Sequence, residues 1–337
     1  MRLLRLLALA CPLAAQTGQQ FHELRDLRLE SGDRLASCRI GYRTYGTLNA
    51  ERSNAVLFPT WFTGKSADLE GFMGGGKLVD STRYFVITVD ALANGVSCSP
   101  SNSAGTFPPV TVRDMVNSQH RLLREHFGLK RLHAVMGISM GGMQTFEWMT
   151  AYPGFAERAV PIIGSPRQTS TDLLLWQAEL SAIESAETCR CDPRTAMRAV
   201  QAIHEFALRT PNWRARDTPP GDFGKLMGQL AERAEKGMDP RDWAAQLRAM
   251  MAHDVASRFG GSLEKAAEAV KARALIVVAT QDHMVNPLPA LEFARLMKAD
   301  TLELTGDCWH MATACESARM TAAVSQFLGQ TNPSPRR

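Results

Sequence analysis

Ser139, Asp282 and His310 have the types and the order that acyl chemistry needs. Ser139 sits in Gly137-Ile138-Ser139-Met140-Gly141, after the apolar run RLHAV and before MQTFEWMTAYP. That order reads as strand, sharp turn, helix, the setting of a nucleophile elbow. Such a turn is too tight for side chains beside the serine, so Gly137 and Gly141 supply room. The serine is thereby pushed out at the edge of the sheet. The helix that starts beside it offers backbone N–H groups and a positive dipole end to a developing oxyanion.

A serine hydroxyl is a weak nucleophile without a base, and the base needs a carboxylate to orient it. On a strand-turn-helix elbow these partners follow in the order acid, then histidine. Asp282 ends ALIVVATQD, just past an apolar run, and His310 ends TLELTGDCWH, in a loop after a strand-like Thr301 to Leu304. Asp307 is a rival partner for His310. His283 adjoins Asp282, but neighbours on a turn rarely face each other as base and orienter. His253 reads as a structural or capping residue. His120, His126, His133 and His204 fall before the acid or within helices and are set aside.

The elements that must position these residues follow from the apolar pattern. LRDLRLESGDRLASCRIGYRTYG suggests two antiparallel strands turning at Ser31-Gly32-Asp33. Short apolar runs of the buried-strand type follow at 55–58, 84–89, 132–137, 159–163 and 274–279. A helical face spans Val112 to Phe127. Strands alternating with helices argue for an α/β fold, with a mostly parallel sheet and helices on both faces. The rhythm breaks between about Thr169 and Glu268, where helical patterns run without a convincing strand. The expected organisation is a core of 17–168 and 269–330, with 169–268 inserted as a helical cap.

The chain has 337 residues, 45% of them apolar, enough to bury a core without staples. Its net charge of +4 carries no dense basic block, which argues against nucleic-acid binding. Residues 1–16, MRLLRLLALACPLAAQ, combine a basic start, a short apolar middle and a small-residue exit. That is the build of a secretory signal peptide, too short for a membrane span. The expected location is secreted or periplasmic, or cytoplasmic if the segment is not cleaved. Without Cys11 six cysteines remain, a number that permits disulfides without demanding them. Cys189 and Cys191 are too close for an easy bridge. No cysteine spacing matches a zinc site, and no metal is expected.

GYRTYGTLN at 41–49, GKLVDSTRYFVI at 76–87, FPPVTVRDMV at 107–116, GISMGGMQTFEW at 137–148, MAHDV at 251–255 and TQDHMVNP at 280–287 resemble, in order, blocks of the homoserine O-acetyltransferase group of α/β-hydrolases. The resemblance implies the α/β-hydrolase fold and a serine that passes an acetyl group from acetyl-CoA to an alcohol. It implies no bound cofactor, with acetyl-CoA the acyl donor if the chain is a transferase. It places the oxyanion donors at the backbone N–H of Phe62, in PTWFTG, and of Met140. The sequence also departs from the family. The arginine that holds an amino-acid acceptor corresponds to Leu180 here, and the family's His-Asp pair reads His310-Met311. Arg167 is the nearest candidate to replace the lost arginine in substrate binding.

Three functions remain open on these residues. The family blocks favour an acyltransferase of this kind with an altered acceptor, homoserine itself not being expected. The chain can instead be a secreted ester hydrolase that uses water as acceptor on the same covalent path. The third reading, a non-catalytic binding protein, gives no reason to keep serine, acid and histidine in order. The expected partners are a small acyl donor and an alcohol or water, and a homodimer is left open.

Overall fold

The computed structural model describes residues 15–330. The signal segment expected at 1–16 therefore lies almost wholly outside the described residues, and so does the tail from 331 on.

Among the described residues eight strands form one sheet. They are β1 (Gln20–Arg28), β2 (Arg34–Tyr45), β3 (Ala55–Pro59), β4 (Phe85–Val89), β5 (Leu132–Ile138), β6 (Ala156–Ile162), β7 (Arg273–Ala279) and β8 (Asp300–Leu304). The expected hairpin is present: β1 and β2 pair antiparallel, with Leu27 opposite Leu35. Gly32 takes a φ of 90° in its turn, a conformation that costs glycine little. The strand order is β1-β2-β4-β3-β5-β6-β7-β8, and every pair from β4 to β8 is parallel. The strands of β3 and β4 are buried at every residue, because helices cover both faces. That is why they read as unbroken apolar runs rather than alternating ones. The chain leaves β3 for β4 on one side and returns to β5 on the other. The crevice at the carboxyl ends of β3 and β5 is therefore the switch point where ligands bind in open α/β sheets.

Helix α1 (Val112–Arg121) starts at a capping box in which Thr111 accepts from the Asp114 N–H. The expected helix to Phe127 changes character on the way: Leu122–His126 forms one π-helical turn. Helix α2 (Met140–Ala151) follows β5 directly and is buried along nearly its whole length. Between β6 and β7 come α3 (Ser170–Cys189), α4 (Pro193–Leu208), α5 (Pro211–Asp217), α6 (Phe223–Lys236), α7 (Pro240–Met251) and α8 (Leu263–Ala269). Among the described residues this segment contains no strand of the sheet. Its last part, from Val255 on, packs against α2 and against α9 (Leu288–Met297), so it lies beside the sheet rather than with α3 and α4. Helices α10 (Ala312–Cys315) and α11 (Ser317–Gly329) follow β8.

All six cysteines of the described residues are paired: Cys38 with Cys98, Cys189 with Cys191, and Cys308 with Cys315. The second pair corrects the expectation that its members are too close to bond easily. Arg190 ends α3 in the left-handed region at φ 55°, and this folds Cys191 back toward Cys189.

Candidate active site

Ser139 is the residue between β5 and α2. Its φ of 58° and ψ of −121° are unusual for a residue with a side chain. Such a conformation is costly and is held only where the surroundings dictate it. The neighbouring glycines show what dictates it. A Cβ on Gly141 would lie 2.7 Å from the carbonyl oxygen of Pro59, and one on Gly137 would overlap the backbone of Gly141. The helix can begin this close to β3 and β5 only with glycine at both places.

The loop after β7 carries Asp282, and the loop after β8 carries His310. His310 Nε2 is 2.9 Å from Ser139 Oγ, and His310 Nδ1 is 2.7 Å from Asp282 Oδ2. The other carboxylate oxygen accepts the N–H groups of Met284 and Val285 at 2.8 and 3.1 Å. These bonds fix the carboxylate, the carboxylate fixes the ring, and the ring faces the serine. The rivals lie elsewhere. Asp307 pairs with Arg216 at 2.9 Å, and His283 stacks on Trp309. His253 is fully buried, with Nε2 on the carbonyl of Ser165, and burial pushes its pKa down to about 4.

Phe62 follows β3 and reaches the same crevice from the other side. Its N–H meets no acceptor among the described residues, whereas Thr60, Thr63 and Gly64 around it are all bonded. Met140, the first residue of α2, likewise has an N–H that its own helix cannot satisfy. Neither of the two N–H groups that the resemblance implies as oxyanion donors thus meets an acceptor among the described residues.

The cavity at Ser139 has a volume of about 320 Å³. Trp61, Phe62, Phe72, Trp176, Leu208 and Met284 make its walls mainly apolar, and among the described residues no lysine or arginine lines it. Arg167 is not at this cavity: it pairs with Glu292 at 3.2 Å. Its expected role in substrate binding is not supported by this placement. Leu180 is also absent from the walls, buried in the core behind them, and Trp176 one turn earlier faces the cavity instead.

The parts are two loops and an elbow at the carboxyl ends of a mostly parallel sheet, converging on one serine. A model of the alpha/beta hydrolase fold matches residues 55–313. The chain belongs to this family. Within it, this α/β hydrolase resembles esterases and homoserine O-acetyltransferases. The ethyl acetate hydrolase of Pseudomonas veronii is 32% identical over 275 residues, covering 76% of this chain and 78% of the relative. The homoserine O-acetyltransferase of Geotalea daltonii is 34% identical over 315 residues, covering 81% and 85%. Among solved structures, the acetyl esterase MekB superposes with a TM-score of 0.86 at 26% identity, over 93% of this chain and 97% of that one. Among the described residues no helix is long and apolar enough to cross a membrane, and no cluster of side chains could hold a metal ion.

Sequence reasoning passed over Gln246. This residue of α7 accepts the Thr63 N–H at 2.9 Å and donates to the carbonyl of Leu92 at 3.1 Å. Thr63 has a φ of 64°, so Gln246 holds a strained residue directly after the candidate donor Phe62. A signal was present. Gln246 shares a helix face with Trp243, Leu247 and Met250, and a polar residue on an apolar stripe needs a partner.

Proposed function

We propose that this α/β hydrolase hydrolyses small carboxylic esters through an acyl-enzyme on Ser139. The reading rests on one observation above the others: the hydrogen-bonded chain Ser139–His310–Asp282 opens onto a small apolar cavity that no lysine or arginine lines among the described residues. In this mechanism His310 Nε2 takes the proton of Ser139 as Oγ attacks the ester carbonyl. Asp282 holds the Nδ1–H and stabilises the imidazolium that forms. The oxyanion is received by the N–H groups of Phe62 and Met140, each worth ~3 kcal/mol by analogy with other such donors. His310 then returns its proton to the departing alkoxide. Water, activated by the same imidazole, attacks the acyl-serine and releases the acid. The path needs no resident cofactor.

Transfer to an alcohol is the second reading, favoured by the likeness to a homoserine O-acetyltransferase and by cavity walls that keep water sparse. In it acetyl-CoA or an ester supplies the acyl group. The first three steps are common to both readings. We also propose that the chain is exported, since three disulfides fit an oxidising compartment.

The test is the covalent intermediate. Incubation with p-nitrophenyl acetate and acid quenching should leave one acetyl group on the peptide that contains Ser139. Ser139→Ala should fold normally and lose several orders of magnitude in turnover, retaining the ~10³–10⁴-fold over water that binding and oxyanion donors give. Substantial turnover by the alanine variant would overturn the assignment.

A further inference from the structure

One side chain at the edge of the apolar cavity does not fit its walls. His204 lies on α4, on the face that carries Met197, Val200 and Ala207. Its Nδ1 is 3.0 Å from Oε1 of Glu179 on α3. Glu179 is wholly buried, and Trp243 Nε1 of α7 donates to its other oxygen at 3.0 Å. No lysine or arginine pairs with this carboxylate among the described residues. Three helices thus converge on a buried carboxylate that holds one imidazole. A buried carboxylate is an expensive way to fill space, since well-packed apolar side chains do that at lower cost. The ring packs against Phe62, with centroids 5.7 Å apart, next to the candidate oxyanion donor.

With Nδ1 committed to Glu179, Nε2 is the ring nitrogen without a hydrogen bond among the described residues. His204 lines the cavity at Ser139 and also a polar cavity of about 890 Å³ on its other side, and Thr63 is the second residue shared by the two. The ring thus stands at the border between the apolar cavity and a polar one.

Building on the acyl-enzyme reading above, we propose that His204, fixed by Glu179, determines specificity by hydrogen-bonding a hydroxyl group on the substrate. The preferred substrates are then small hydroxy esters rather than plain alkyl esters. A hydroxyl both donates and accepts, so it satisfies Nε2 in either protonation state of the ring. An alkyl group at the same place leaves a desolvated ring nitrogen unpaired.

The test uses two pairs of esters in which a hydroxyl replaces a methyl. 2-Hydroxyethyl acetate against propyl acetate probes the alcohol side. Methyl 3-hydroxypropanoate against methyl butanoate probes the acyl side. The wild-type protein should favour the hydroxy ester of one pair by ~10-fold or more in kcat/KM, since sites built for a hydroxyl reject the analogue lacking it. His204→Phe should bring that ratio close to unity. His204→Gln, whose amide can occupy the place of Nε2, should restore part of it. A purely structural role would lower both members of a pair equally and leave the ratio alone. Thermal melts check the fold, and His204→Asn, too short to reach, supplies the same loss if the phenylalanine variant does not fold. A wild-type ratio near or below unity in both pairs, or a ratio that survives His204→Phe, overturns the proposal. Absence of Ser139-dependent hydrolysis of all four esters would instead defeat the acyl-enzyme reading, and this inference with it.

Discussion

Cys308 is bonded to Cys315, and His310 lies inside the loop that this bond closes. The same loop is gripped from outside. Trp309 stacks on His283 with ring centroids 3.9 Å apart and planes 8° from parallel, and Asp307 pairs with Arg216. The imidazole facing Ser139 therefore stands on a short covalent ring braced by a stacked pair.

Opening that ring should loosen His310 without emptying the cavity. Replacing both Cys308 and Cys315 by serine should lower kcat several-fold while leaving KM nearly unchanged. The small loop implies a stability loss of about 2 kcal/mol, readable in urea unfolding. A double variant with wild-type kcat would show that stacking and packing hold the histidine on their own.

Cys38 and Cys98 close a far longer loop than Cys308 and Cys315, tying β2 to the turn beyond β4. The expected contribution is about 4 kcal/mol, so Cys38→Ser with Cys98→Ser should unfold at clearly lower urea. In protein exported by a bacterial host, the mature chain should begin near Gln16 and show no free thiol after denaturation without reductant. Intact Met1 on soluble cytoplasmic protein, with titratable thiols, would remove the argument for export.

Much of this arrangement is legible in the sequence. The strands from β3 to β7 match the apolar runs to within a few residues, because strands buried on both faces leave few polar interruptions to blur them, whereas the largely exposed edge strand β8 shows only as the alternation of Thr301 to Leu304. The elbow is legible because a tight turn admits few residue types. Asp282 and His310 are legible because order along the chain limits the choice. Gln246 and His204 escape because their meaning lies in partners remote in sequence. Gln246 bonds Thr63, 183 positions away, and His204 meets Glu179 only once α3 and α4 pack together. Along the chain each is merely a polar interruption of an apolar helix face.

The buried pair His253 and Glu147 predicts opposite pH responses for two variants. His253 faces the Ser165 carbonyl, Glu147 Oε2 at 3.7 Å and, through it, Arg113, with Glu30 farther out and Arg258 paired to Glu30. Burial lowers its pKa from 6.5 to about 4, so its contribution to stability is complete above 6.5 and is lost as pH falls toward 4. Burial raises the Glu147 pKa from 4.5 to about 7 against the pull of Arg113. Its contribution is complete below 4.5 and is lost as pH rises toward 7. The two slopes oppose each other in the wild-type protein between those limits. Glu147→Gln leaves the histidine alone, so stability should fall on acidification relative to the wild type, by about 3 kcal/mol at most. His253→Gln leaves the glutamate alone, so stability should fall as pH rises. Urea unfolding at several pH values between 4.5 and 7 reads both, and parallel profiles for the two variants would contradict the assignment.

Acceptor choice follows from what the cavity lacks. An amino-acid acceptor carries a carboxylate, whose natural partner is a bidentate arginine. Among the described residues no arginine or lysine lines the cavity at Ser139, Arg167 is engaged by Glu292, and Trp176 presents an indole on α3. A carboxylate brought there would lose its water with no cation in return. L-Homoserine should therefore be a poor acceptor, and water or uncharged alcohols should take the acyl group. The measurement is a competition in which a small acyl ester is supplied with L-homoserine and with butanol at equal millimolar concentrations. Acid and butyl ester should dominate the products. O-Acyl homoserine as the main product would mean that the cavity binds the amino acid by groups other than a cation. Its loss in Arg167→Ala would mean that this arginine leaves Glu292 and swings into the cavity when the acceptor arrives.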